Sequence, residues 1–103
     1  MTRRSRDWNE SLANDLKDPG FAREFLIGAL DEGIPLRDAL AKVIRGIGVK
    51  EFAQEIGMAG PNLLRAIHPT HNPTQETLDR LLRPFGLKVG LAPIEKAPGS
   101  RAA

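Results

Sequence analysis

The chain contains no cysteine, which excludes disulfides, a thiolate nucleophile and any thiolate-held metal. It contains no tyrosine, and its only serines, Ser5, Ser11 and Ser100, fall in or near the ends. No glycine-rich phosphate loop is present. Its acidic residues are spread along stretches of helical period with Lys or Arg nearby, as on a solvated face. An enzyme is therefore not expected, and nothing in the sequence implies a cofactor or a small-molecule substrate. No apolar run is long enough to span a bilayer. The opening MTRRSRDWNE is basic without an apolar core, so neither a membrane partner nor secretion is expected, and the expected location is cytoplasmic. The excess of one charge over the other is small too: the formal net charge is +2, with a sequence pI near 9.4. That weak excess permits nucleic-acid binding without requiring it.

The 103 residues suffice for one domain with a modest core. Basic residues crowd the two ends, with Arg3, Arg4 and Arg6 at one and Lys88, Lys96 and Arg101 toward the other. Such an arm either adds phosphate contacts or remains a solvated tail. Asp7 to Leu16 reads as a short helix with Trp8 and Leu12 on one face, and Trp8, the only tryptophan, as an anchor on the domain or on a partner. Asp18-Pro19 is a helix-start signal, a capping side chain followed by proline at the first helical position. Phe21, Phe25, Leu26, Ala29 and Leu30 then repeat with helical period up to Gly33. Ile34-Pro35 opens the next helix, whose buried stripe is Leu36, Ala39, Leu40, Val43, Ile44 and Ile47, with Gly46 and Gly48 at its end. After a loop from His68 to Thr74, Thr74 caps a last helix with Leu78, Leu81, Leu82 and Phe85 on its apolar face and Gly86 as its stop.

The stretch between those helices, VKEFAQEIGMAGPNLLRAI over 49–67, carries most of the functional information. It predicts two short helices joined by a tight turn at Gly57, which can take positive φ. Ala53 is small enough for one helix to cross the other closely. Phe52, Ile56, Met58, Leu63 and Ala66 close the core between them. Pro61 falls in the first turn of the second helix, where a missing N–H costs nothing. This is the pattern of a helix-turn-helix, which presents its second helix to the DNA major groove. An αα-hairpin that merely packs has the same pattern.

In the DNA-reading version, Arg65 is the base reader, its forked guanidinium able to bond a guanine edge twice. Asn62 bonds an adenine edge or a phosphate, or else caps the helix. Gly60 lets the backbone approach a phosphate, and Lys50 touches phosphate from the first helix. His68 and His71 lie three apart in a proline-flanked loop without nearby thiols or carboxylates. They read as a loop on the DNA backbone rather than as a metal site.

Beyond Gly86 the period changes, with Leu87, Val89 and Leu91 alternating with Lys88 and Gly90. This predicts a short strand ended by Pro93. A lone strand leaves backbone groups unpaired, so the expected partner is the same strand of a second copy, in a twofold dimer. An extended tail lying on the helices is the other reading. The expectation is an all-α domain of about five helices with this C-terminal strand. Residues 1–17 form a flexible basic segment, 18–94 the helix-turn-helix domain, and 95–103 a disordered tail.

The order DPGFAREFL, LRDALAKVI, GVKEFAQEIGMAGPNLLRAI, Asn72-Pro73-Thr74 and TLDRLLRPFGLKV, over residues 18–92, resembles the bacterial addiction-module antidote proteins. These are antitoxins with an Xre/Cro-type helix-turn-helix. The resemblance implies a small Cro/repressor-like antitoxin that neutralises a partner toxin, commonly a RelE-like ribonuclease from the same operon. It also implies a homodimer that binds operator DNA and represses the operon, with two reading helices about one DNA turn apart, ~34 Å. The chain departs from the family at Gly60, Pro61 and Leu64, which offer no side-chain hydrogen bonds where the family carries several polar residues. Base readout is accordingly expected to be thin or shape-driven. Glu24, Asp31 and Glu32 form a candidate acidic docking edge for a basic toxin. Two other functions fit the same helices: a stand-alone repressor without a toxin, and a protein-interaction module that does not read DNA.

Overall fold

A computed structural model of the chain describes residues 11–93. The expectations for Arg3, Arg4, Arg6, Trp8, Lys96, Arg101 and the 95–103 tail lie outside the described residues. The described part is all-α. Residues 11–16 are helical (α1), followed by α2 (Pro19–Asp31), α3 (Leu36–Ile47), α4 (Val49–Ile56), α5 (Gly60–Ala66) and α6 (Gln75–Leu82). A single 3-10 turn, Arg83–Phe85, ends the helical part. α2 packs on α3, α3 on α4 and α4 on α5, and the 3-10 turn returns to α2, closing the bundle. No helix among the described residues is long and apolar enough to cross a membrane.

Local chemistry sets the helix starts. The Asp18 carboxylate accepts the Gly20 N–H at 3.3 Å, with Pro19 at the first helical position of α2. The Thr74 hydroxyl accepts the Thr77 N–H at 3.1 Å and so caps α6. α6 ends at Leu82, short of the predicted Phe85. Pro84 has no N–H to donate and its ring would strike the carbonyl four residues back, so the chain tightens into the 3-10 turn instead.

The core is a single apolar cluster in which Leu16, Leu26, Leu40, Val43, Ile44, Phe52, Leu63 and Leu81 are fully enclosed. The rings of Phe52 and Phe85 stack at its centre, 5.9 Å apart and 11° from parallel. The α3 stripe is as predicted, with Ala39, Leu40, Val43 and Ile44 buried and Leu36 and Ile47 half-buried. α2 differs. Its inward face is Ala22, Leu26 and Ala29, while Phe21 (39%) and Leu30 (47%) stay exposed. Two alanines at the crossing leave room for α3, and the larger apolar residues flank it.

Residues 11–16 are helical, as the reading of Asp7 to Leu16 as a short helix expected, and Leu16 is buried in the core, so the domain reaches back past its expected start at residue 18. Gly46 does not end α3 but lies inside it, and a Cβ there would come within 2.7 Å of the Leu16 side chain. Its role is therefore close packing of α1 on α3, and Gly48 alone separates α3 from α4. Finally, no strand is present among the described residues. Residues 87–93 are irregular, with Leu87 and Val89 half-buried against the helices. This arrangement fits the other reading of the segment, a tail lying on the helices; a ladder would need a second strand, which residues 11–93 do not supply.

Candidate nucleic-acid interface

The α4–α5 pair is built as its sequence predicted. Gly57 sits in the left-handed region (φ 68°, ψ 37°). The Met58 N–H returns to the Ala53 carbonyl at 2.9 Å and the Gly57 N–H to the Gln54 carbonyl at 3.3 Å. These two bonds satisfy carbonyls that a bare helix end would leave open. A side chain at Gly57 would strain this conformation, since only glycine visits it at no steric cost. Phe52, Ala53, Leu63 and Ala66 are buried between the helices, with Ile56 and Met58 half-buried beside them.

An arginine that the sequence did not single out completes the turn. Arg80 of α6 donates from Nη2 to the carbonyls of Ile56 and Gly57, both at 3.1 Å. It supplies a positive charge at the negative end of α4. Arg37 of α3 plays a similar part for the following loop, donating from Nη1 to the His71 carbonyl at 2.9 Å. Arg37 also makes the one ion pair among the described residues, with Asp38 at 3.7 Å. Nothing in the sequence distinguishes these two arginines from solvated ones, because their partners lie 23–34 residues away.

The candidate contacts are placed as follows. Lys50, Asn62 and Arg65 are all exposed, and their side chains make no hydrogen bond or ion pair among the described residues. Their bonding capacity is thus unspent, in contrast to Arg37 and Arg80. Asn62 is not a cap: the α5 N-cap position is Ala59, with no side-chain bond. Gly60 is the first residue of α5, half-buried, with open space where a Cβ would stand. Leu64 is 45% exposed on the outward side of α5, with Pro61 one turn before it.

His68 is exposed just past α5 and fixed in a local turn. Its Nδ1 accepts the Thr70 N–H at 3.2 Å and lies 2.9 Å from the Thr70 hydroxyl. A backbone N–H can only donate, so in the neutral ring the proton sits on Nε2, where it is available as a donor. His71 is half-buried, with its carbonyl held by Arg37. No group of three or more His, Cys, Asp or Glu close enough to hold a metal occurs among the described residues.

A second surface lies on α2. Glu24 and Asp31 are exposed two turns apart, Glu32 follows, and Ile27 and Leu30 stand exposed beside them. Residues 11–93 hold equal numbers of basic and acidic side chains, so the net +2 belongs to the two ends of the chain. Comparison with family models, with curated proteins and with solved structures finds no match to this chain.

Proposed function

We propose that α4, the Gly57 turn and α5 form a helix-turn-helix of Cro/repressor type that places α5 in the DNA major groove. We further propose that the chain is a cytoplasmic antitoxin that binds a toxin and represses its own operon as a dimer. The observation that carries the DNA reading is the division of α5. Leu63 and Ala66 hold it in the core, while Asn62 and Arg65 are exposed with no side-chain partner among the described residues. Arg65 would read a guanine edge, and Asn62 an adenine edge or a phosphate. Leu64 and Pro61 between them suit the methyl group of thymine rather than a polar base edge. Lys50 and His68 would contact phosphate from either side. The toxin part rests on the order of motifs over residues 18–92 and on the acidic, partly apolar face of α2.

Titration of the purified protein with its own upstream promoter DNA, against scrambled DNA at physiological salt, tests the DNA reading. The expected preference is ~10³-fold or more. Absence of preference overturns it in favour of a protein-interaction module. That second reading is favoured by the charge balance of residues 11–93 and by the apolar outward side of α5. A small basic protein encoded beside this chain and toxic when expressed alone would separate an antitoxin from a stand-alone repressor. Reversing Glu24 and Asp31 together to lysine is expected to slow its association with this chain and to invert the salt dependence of binding. Unchanged kinetics in a surface-binding assay would remove α2 as the docking face.

A further inference from the structure

We infer that residues 87–91 form a self-complementary edge whose occupant is the same segment of a second copy, paired antiparallel about Val89. The inference deepens the dimer of the proposed function by fixing its register, and its test contains no DNA. The Leu87 N–H donates to the Leu82 carbonyl at 3.3 Å, and the Val89 N–H donates to Asp79 Oδ1 at 2.7 Å. Both amides therefore point into the bundle. Side chains alternate along the segment, with Leu87 and Val89 half-buried and Lys88 and Gly90 exposed, which is the period of extended chain. In extended chain, successive N–H groups point to opposite sides. Those of Lys88 and Gly90 are then turned to the side opposite the Leu87 and Val89 amides, and neither has a partner among the described residues.

An antiparallel ladder alternates hydrogen-bonded and non-hydrogen-bonded pairs. Pairing about Val89 sets Lys88 against the partner's Gly90 and Gly90 against the partner's Lys88, the two hydrogen-bonded pairs that the free amides require. Val89 then faces the partner's Val89 in a non-hydrogen-bonded pair, its own N–H still turned back to Asp79. Leu87 faces the partner's Leu91. Leu91 is fully exposed in the single chain and shares the Leu87–Val89 face. Between that segment and α2 lies an apolar groove of about 300 Å³, with residues 87–90 as one wall and Leu26, Ile27, Leu30, Leu36 and Leu82 as the other. The partner's Leu91 reaches its rim, so each copy contributes one exposed apolar side chain and one groove. The neighbouring registers are worse. Pairing about Lys88 opposes two like charges and runs the partner into the Arg83–Phe85 turn. Pairing about Gly90 opposes two glycines, which have nothing to pack, and places Pro93 over Leu87.

The absence of native cysteine makes a clean test. Sedimentation of the full chain without DNA is expected to give a dimer. Single Val89→Cys, Lys88→Cys and Gly90→Cys chains are then oxidised. Cα atoms of a non-hydrogen-bonded pair stand ~4.5 Å apart, within disulfide reach. Val89→Cys is expected to give covalent dimer in large excess over the other two. Leu91→Asp, at a site exposed in the single chain, is expected to weaken dimerisation by about tenfold or more with unchanged helix content. A monomeric wild-type chain, stronger cross-linking at Lys88 or Gly90, or a Leu91→Asp chain as dimeric as wild type overturns the inference. The DNA reading can fail while the dimer stands, and the reverse, so the two failures are distinguishable.

Discussion

Phe52→Ala is expected to destabilise the domain by about 3–5 kcal/mol, enough to unfold much of it. The side chain is fully enclosed and stacked on Phe85, and it joins α4 to the turn that follows α6. Alanine would remove the ring and leave a cavity bounded by elements tied down on all sides, so little collapse can refill it. Phe85 would lose its stacking partner as well. Urea unfolding followed by far-ultraviolet circular dichroism measures the loss. A change under ~1 kcal/mol would contradict the central position assigned to Phe52, since that is the scale of surface substitutions.

Arg65→Ala is expected to lower discrimination between operator and scrambled DNA by about 1–3 kcal/mol, roughly 5–150-fold. A guanidinium with no partner among the described residues leaves no buried acceptor there when it is removed, so the loss is expected to report DNA contact rather than folding. Lys50→Ala makes the contrast. A phosphate contact weakens both DNAs alike and reduces the salt slope by about one. Fluorescence anisotropy at several salt concentrations separates the two. Unchanged discrimination in Arg65→Ala would remove Arg65 as a base reader.

Features that depend on a few neighbouring residues were legible in the sequence. Asp18-Pro19, Gly57 and Thr74 each act within a few residues of their own position, and each is where its type predicted. The apolar faces of α3 and α6 followed from period alone. What was not legible depends on tertiary neighbours. Gly46 reads as a helix stop until α1 is placed against it. Arg37, Arg80 and Asp79 read as solvated charges until carbonyls and an amide from distant segments arrive beside them. Phe21 and Leu30 have helical spacing yet stay outside, because period gives the angle of a stripe and not which of its edges is covered. The candidate contacts Lys50, Asn62, Arg65 and His68 were legible as positions on helices and a loop. That the first three have unspent bonding capacity while His68 is held by Thr70 required coordinates.

The charge balance of residues 11–93 has a kinetic consequence. Opposite charges interspersed over a small body largely cancel beyond a Debye length, ~8–10 Å at physiological salt. Such a body is not drawn toward a polyanion from a distance. Collision with DNA would then proceed at the unsteered rate, about 10⁵–10⁶ M⁻¹ s⁻¹, rather than at the far higher rates that a basic face confers. If α5 reads DNA as proposed, the long-range pull would fall to the arginines near one end of the sequence and the lysine and arginine near the other. Search and recognition would then be divided between separate parts of one chain, the ends drawing it to the polymer and α5 telling one sequence from another.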